Sequence, residues 1–332
     1  MFGRNFILRT AGLPAVERMV RRSRPFRPLV ERFIAGDSLG QALAVGERVL
    51  GRGMMVSLDF LGENTKSEAE AASAKATYIA MLEAIAQSPA VKDWSPVTSG
   101  LVASLVNVDP RPLKPVEPLN ISIKLTQCGL DMGDELAERN FREVLETAKR
   151  HGNFVRVDME ASDYTERTIQ MIERVMPEFQ ANTGTVLQSY LYRTPDDVER
   201  MIALNARVRL VKGAYLEPAS VAHPEKSKVD EAYVNQAKRL LDAANYPAIA
   251  TQDESIILEL KRYILDRGID KSKFEFQMLY GIRRDLQENL LAEGFQVRIY
   301  IPFGDSWYPY FTRRLAERPA NAMFIVRSFL KG

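Results

Sequence analysis

Residues 298–318 read RIYIPFGDSWYPYFTRRLAER. A β-rich run from Val297 to Ile301 meets a Pro/Gly turn and passes into a stretch of helical spacing, which makes the segment one β/α unit. Within the helix Tyr310, Arg313, Arg314 and Glu317 stand three and four residues apart and share one face. Two adjacent guanidinium groups beyond a phenol form a site for a small carboxylate, because the planar fork of arginine pairs with both carboxylate oxygens. A solvated basic helix end with an ordinary Arg–Glu pair would read the same way, so the other segments decide.

The same unit recurs upstream. Further β-rich runs occupy Met54–Asp59, Ile121–Leu125, Phe154–Asp158, Thr185–Leu191, Arg207–Val211, Ala248–Thr251 and Phe274–Gln277, and the run quoted above extends from Gln296 to Ile301. Stretches of helical period follow each: Ser67–Gln87, Asp134–Arg150, Tyr164–Phe179, Pro195–Leu204, Lys228–Ala244, Glu254–Asp266, Ile282–Ala292 and Tyr308–Ala316. Eight units in strict alternation predict an α/β fold of the closed, parallel (βα)8 TIM type, not a doubly wound sheet. The glycine fingerprints of dinucleotide and P-loop folds are missing, since Gly51-Arg52-Gly53 runs on into Met54-Met55-Val56. Residues 1–52 read as an N-terminal helical arm and 53–332 as the barrel, with a proline-punctuated connection between Ser88 and Pro118.

Composition bounds the function. The net charge of +2 over 332 residues argues against a nucleic-acid-binding protein. The excess charge is local: Arg4, Arg9, Arg18, Arg21, Arg22, Arg24 and Arg27 face one acid, Glu17, in the first thirty residues. Such an arm could touch an anionic membrane surface, and a solvated helical extension is the plainer expectation. The single cysteine, Cys128, excludes an internal disulfide and fits a reducing compartment. With only His151 and His223, no metal site is expected and a Ser–His–Asp triad has few candidates. No apolar run of transmembrane length occurs, so the expected location is the cytoplasm, with peripheral contact at the inner membrane left open.

In a (βα)8 barrel the active site is built at the C-terminal ends of the strands. Polar residues fall there repeatedly: Asp59, Lys124, Asp158, Gln188, Arg209, Lys212, Gln277 and Tyr300. Strand ends always meet polar loops, so no one of these is diagnostic. Lys124 in ISIKL and Asp158 in VRVDME stand out, because a charge ending an apolar strand is costly unless paired. Lys124, Arg209, Arg313 and Arg314 together are more cation than a neutral sugar needs. They suit an anionic small molecule with a phosphorylated cofactor. Two rival readings remain at this stage: a Schiff-base aldolase using Lys124 or Lys212, and a barrel that binds a flavin or an amino acid as a sensor.

Six motifs carry a resemblance. LDFLGE (Leu58–Glu63), SIKLTQCG (Ser122–Gly129), VRVDME (Val155–Glu160), RLVKGAY (Arg209–Tyr215), FEFQMLYG (Phe274–Gly281) and RIYIPFG…WYPYFTRRLAER (Arg298–Arg318) occur in the order of the bacterial monofunctional proline dehydrogenases. The chain resembles that family of flavoenzymes, which convert proline to Δ1-pyrroline-5-carboxylate, from about residue 54 onward. The resemblance implies a distorted barrel whose final helix lies over the mouth. It implies that Arg313 and Arg314, assisted by Lys124, bind the proline carboxylate. Tyr300, Tyr310 and Leu279 would box the pyrrolidine ring, Asp158 would orient that box through Tyr300, and Tyr215 would border it. Arg209 would stand near the flavin N5, with Gln188, Lys212, Gly213, Ala214, Thr251, Gln252 and Gln277 also at the FAD. Glu63 and Arg313 would form a gate.

The implied chemistry is hydride transfer from proline C5 to flavin N5, driven by an unprotonated amine. The implied partners are L-proline, a quinone electron acceptor and a pyrroline-5-carboxylate dehydrogenase. One departure from the family pattern is Thr251-Gln252-Asp253, where an imidazole is usual beside the cofactor; it leaves FAD against FMN less certain. Tyr300 favours proline over hydroxyproline, whose oxidising relatives carry a smaller residue there.

Overall fold

The computed structural model describes residues 17, 18, 20, 27–62, 64–94 and 116–317, without the side chains of Arg313 and residues 315–317. The remainder of the arginine arm, residues 95–115 of the proline-rich connection, Glu63 and residues 318–332 lie outside the described residues.

Eight parallel strands close into a barrel in sequence order. The elements are α1 (Leu39–Leu50), β1 (Met55–Phe60), α2 (Glu68–Gln87), β2 (Leu119–Ile123), α3 (Asp134–Arg150), β3 (Val155–Val157), α4 (Thr165–Phe179) and β4 (Thr183–Gln188). They continue as α5 (Thr194–Ala203), β5 (Arg207–Val211), α6 (Lys226–Ala243), β6 (Ala248–Ala250), α7 (Glu254–Asp266), β7 (Glu275–Leu279), α8 (Arg284–Ala292), β8 (Val297–Phe303) and α9 (Tyr308–Glu317). Closure is made by β1 against β8, with Ser57 opposite Tyr300. The expected strands and helices coincide with these in number, order and type. The largest shift is at β4, expected at Thr185–Leu191: its backbone leaves the barrel after Gln188, and Leu191 instead bridges Ala222 in the loop after β5.

The period of two along a strand splits the strands into two faces. Outward residues are apolar and buried under the helices: Val56 and Leu58, Ile121 and Ile123, Val155 and Val157, Val208 and Leu210, Phe276 and Met278, Val297, Ile299 and Ile301. Inward residues are polar to an unusual degree for a fold whose interior is ordinarily filled by Val, Ile and Leu. Ser57, Asp59, Asn120, Ser122, Arg156, Arg207, Arg209, Glu275, Gln277 and Arg298 are all buried. This chain therefore has an oily outer core and a charged inner one.

Two placements control the mouth. Helix α1 starts from Ser38, whose hydroxyl caps Gln41 N while the Gln41 side chain caps back, and it buries Ala42, Val45, Val49 and Leu50. Those residues join the main core against β1 and β8, so the wall between the last and first strands is filled by a helix from the N-terminal segment. The final helix α9 is thereby released from the wall. Its Tyr308, Tyr310 and Phe311, with Trp307, form a separate apolar cluster with Phe33, Ile34, Leu61 and Ile282, and Leu279 packs against it. Leu61 follows β1 and Leu279 ends β7, so this cluster sits over the C-terminal ends of the strands. Residues 32–36 cross above β7 and β8 to meet it: Ala35 N donates to Pro302 O (2.9 Å) and Gly304 N to Gly36 O (3.0 Å). The approach is so close that a Cβ on Gly281, at φ +75°, would lie 1.8 Å from Arg32 O.

Candidate active site

Beneath the α9 cluster polar side chains from six strands, or from the residue just past a strand, meet at the mouth: β1, β2, β3, β5, β7 and β8. Lys124, immediately past β2, donates from Nζ to Asp59 Oδ1 at the end of β1 (2.9 Å), and both are buried. Arg209, in the middle of β5, donates from Nη1 to Asp158 Oδ1 (2.7 Å), from Nη2 to Ser122 Oγ (3.1 Å) and Ser57 Oγ (3.4 Å), and from Nε to Gln277 Oε1. Asp158 accepts a second hydrogen bond on Oδ2 from the Tyr300 hydroxyl (2.7 Å). The Arg209 guanidinium carbon lies 5.1 Å from the centre of the Tyr300 ring. One carboxylate thus fixes both a cation and a phenol, each by a charge-assisted bond.

Electrostatics follow from this burial. Desolvation raises the Asp158 carboxyl above its ordinary value, while Arg209 and Lys124 pull against that shift. Desolvation, then the Asp158 charge, holds the Tyr300 phenol well above 10, so it remains a donor. Cys128 is buried nearby in sequence with its thiol pushed up to about 12, chiefly by burial, and it has no thiolate chemistry to offer.

Below this layer the barrel floor is a second charged array. Glu275 Oε1 accepts from Arg298 Nε (2.8 Å) and from Gln277 Nε2, and its Oε2 accepts from the Tyr246 hydroxyl (3.1 Å). Arg298 also donates to Val56 O (2.9 Å) and Glu117 O (3.0 Å). Arg207 pairs with Glu117 (2.8 Å), and its guanidinium lies 3.9 Å from the Phe154 ring centre. Arg156 donates to Arg207 O (2.5 Å) across Gly184, where a Cβ would come within 2.1 Å of that carbonyl. The glycine is what lets the arginine cross.

The strand order, the mouth network and the lid above it can be set beside known proteins. The proline dehydrogenase family model matches residues 42–327. The chain is 40% identical to a proline dehydrogenase of Deinococcus radiodurans over 99% of this chain and 98% of that one. The chain belongs to the proline dehydrogenase family. Proline dehydrogenase 1 of Bacillus subtilis is 37% identical over 90% of each chain. Among solved structures, proline utilization A from Bdellovibrio bacteriovorus, crystallised after inactivation by N-propargylglycine, superimposes with a TM-score of 0.76 at 26% identity. That match covers 87% of this chain but only 32% of the longer protein.

Of the residues expected at a proline dehydrogenase site, the structure gathers Lys124, Asp158, Arg209, Gln277 and Tyr300 into the mouth network. Gln188 ends β4 beside it, buried, with Nε2 on Glu160 O (3.2 Å) and no partner for Oε1. Tyr310 and Leu279 belong to the overlying aromatic cluster, and the Arg314 guanidinium lies 5.3 Å from the Tyr310 ring centre. Tyr215 is half-buried in the loop after β5.

Other expected residues stand apart from the network. Lys212 turns to Asp230 (2.6 Å) on α6 and Asp253 (2.8 Å) at the start of α7. Gly213 takes φ +113° against the Tyr190 ring, Ala214 is exposed and Gln252 is half-buried. Thr251 is buried and accepts from Asp253 N (3.1 Å). The gate Glu63–Arg313 lies outside the described residues.

Four residues had no assigned role from sequence and do work in the network. Asp59 stood among the strand-end polar residues without a partner; Ser57, Ser122 and Glu275 were not singled out. Their signal is the period of two: Ser57/Asp59, Ser122/Lys124 and Glu275/Gln277 share a face with a chemistry-bearing neighbour. Glu160 is a fifth, buried and accepting from Thr126 Oγ1 (2.6 Å) while its carbonyl holds Gln188.

Proposed function

We propose that the chain oxidises L-proline to Δ1-pyrroline-5-carboxylate at the barrel mouth with FAD as its resident cofactor. The observation that supports this most is the clamp in which Asp158 holds Arg209 and Tyr300 at 2.7 Å each. It fixes a cation on one oxygen and a phenol on the other oxygen of a single carboxylate, with the guanidinium carbon 5.1 Å from the phenol ring centre. The family is flavin-dependent, and the residues present fit such a group. Gln188 is buried with an acceptor oxygen lacking a partner, which suits a flavin ring N–H, and Arg209 beside it suits an electron-rich ring system. When bound, the flavin supplies the acceptor for the hydride that leaves proline C5.

The chain's own residues do the rest. Lys124, held in place by Asp59, adds its positive charge to that of Arg313 and Arg314 of α9 in attracting a carboxylate. Tyr300, Tyr310 and Leu279 exclude water from the pyrrolidine ring, and the Asp158 bond stops the Tyr300 ring from swinging away. Asp59 and Asp158 are already committed to Lys124 and to the Arg209–Tyr300 pair. A protonated amine therefore gains no counter-ion from them, and the neutral amine, whose lone pair must push, is the form that reacts. Rate rises with pH on that account.

Schiff-base chemistry requires an unprotonated lysine. Lys124 and Lys212 are each held by carboxylates instead, and that reading is set aside. On the proposed reading the electron acceptor is a membrane quinone met by peripheral contact from the cytoplasm, and the product passes to a pyrroline-5-carboxylate dehydrogenase. Among the described residues no helix is long and apolar enough to cross a membrane. The test is the visible spectrum of the purified protein, recorded anaerobically before and after excess L-proline, with chromatography of the released flavin. Flavin bands that bleach with proline and release FAD are expected. Bands unmoved by proline would overturn the substrate, and FMN alone in the released fraction would overturn the cofactor.

A further inference from the structure

We propose that Glu275, on the barrel floor and out of reach of any ligand at the mouth, is a positioning residue that sets the orientation of Arg209 through the side-chain amide of Gln277. The inference rests on the proline-oxidising reading of the mouth. A glutamine amide is nearly symmetric in shape, with a donor end and an acceptor end, so its neighbours alone decide which end faces which way. Glu275 is ionised and can only accept. It is buried, and although burial acts to raise its carboxyl, Arg298 together with Arg207 and the Gln277 bond more than offsets this and holds it at about 2.

Glu275 Oε1 therefore takes the NH2 end of Gln277, which leaves Gln277 Oε1 facing upward to accept from Arg209 Nε. The carboxylate has no freedom of its own. Arg298 Nε (2.8 Å) and the Tyr246 hydroxyl (3.1 Å) hold its two oxygens, and Arg298 is pinned to Val56 O and Glu117 O. With Nε anchored, the Arg209 fork presents Nη1 to Asp158 and Nη2 to the two serine hydroxyls. A neutral side chain at 275 permits the Gln277 amide to flip. Its NH2 end would then meet a guanidinium N–H, donor against donor, and Arg209 would rotate off Asp158.

The relay makes a claim that a merely structural residue would not: Glu275 acts on the site only when Gln277 is there to transmit. The experiment is a double-mutant cycle on the flavin-loaded enzyme with Glu275→Gln, Gln277→Met and the pair, reading kcat and KM for proline and the midpoint potential of the bound flavin. Expected results are a kcat lowered about tenfold by either single variant with KM within about twofold. The flavin potential should shift in the same direction in both. The pair should be no worse than Gln277→Met alone.

Additive losses in the pair, or Glu275→Gln with wild-type kcat and potential, would overturn the relay while wild-type activity still upheld the proline-oxidising reading. A wild-type protein whose flavin ignores proline would instead sink the reading beneath it. Should Glu275→Gln not accumulate as folded protein, Glu275→Gln/Arg298→Met removes both buried charges and carries the same cycle.

Discussion

Replacing Arg298 by Met tests the charged floor most directly. Arg298 is fully buried and donates to Glu275, Val56 O and Glu117 O, all within 3.0 Å. Met matches much of its length and none of its charge, so Glu275 is left as a buried carboxylate held only by Tyr246 and Gln277. Breaking a buried pair from one side costs about 3–5 kcal/mol. The net depression of the Glu275 carboxyl from 4.5 to about 2, in which Arg207 and Gln277 share, is of the same order, about 3.5 kcal/mol at roughly 1.4 kcal/mol per unit. For 332 residues the unfolding entropy is roughly 0.7 kcal/mol per kelvin, so Tm should fall by about 5 °C.

The pH dependence gives that number a signature. A carboxyl whose pKa is lower folded than unfolded stabilises above its unfolded value and loses that stabilisation as pH falls through its folded one. In the wild type the contribution is whole above 4.5 and declines toward about 2. Without Arg298 burial is opposed only by Arg207 and the Gln277 bond, so the Glu275 pKa rises and acidification removes less stability from the variant than from the wild type. Urea unfolding at saturating flavin, run at about pH 7 and about pH 4.5, should show the gap between variant and wild type narrowing in acid. Adding Glu275→Gln should recover most of the loss at neutral pH. A gap that is absent at pH 7, or constant with pH, would refute the assignment of Glu275 as an ionised group supported by Arg298.

Tyr300→Phe removes the donor to Asp158 Oδ2 and should lower kcat/KM for proline by about 10–100-fold with little loss of Tm; because the phenol is held well above 10, both enzymes should share one alkaline pH profile in steady-state assays. Lys124→Met strands buried Asp59 and should cost about 3–5 kcal/mol in thermal unfolding, while Lys124→Met/Asp59→Asn should recover the stability and leave KM for proline raised. Gln188→Leu should weaken flavin retention about tenfold in fluorescence titrations of the apoprotein at nearly unchanged Tm, since it deletes an acceptor that the protein itself leaves without a partner.

The barrel was legible because its two periods are clean. Outward strand positions are apolar, helices such as Asp134–Arg150 carry acids in the first turn and bases in the last, and the alternation has no gap. The mouth residues were legible as a set, since charges end apolar strands. Their partners were not. Lys124 meets Asp59 65 positions away in sequence, and Arg209 meets Gln277 68 positions away, because barrel closure and strand register bring them together. The Glu275–Arg298 pair depends on Gln277 standing opposite Arg298 in β7 and β8, a tertiary fact that no local pattern contains. Likewise the helical period found α1 and α9 but could not say that α1 fills the wall beside β8. The lid position of α9 came from resemblance, and its physical cause is that the wall place is taken.

A charged interior is a poor way to stabilise a barrel, since desolvating each ion costs several kcal/mol before its partner offsets the loss. Its advantage is direction. Apolar layers can hold a side chain in place but cannot tell one end of an amide from the other, nor choose which face of a guanidinium points up. The floor ions can do both, and they are matched in turn by the mouth ions, Lys124 with Asp59 and Arg209 with Asp158. The mouth pairs are thus electrically closed before substrate arrives. On the proposed reading a proline carboxylate must then bring its charge to the arginines of α9, which among the described residues packs on a separate aromatic cluster and not on the wall. On that reading the aromatic cluster holds the arginines of α9 over the mouth as the floor ions hold Arg209 within it.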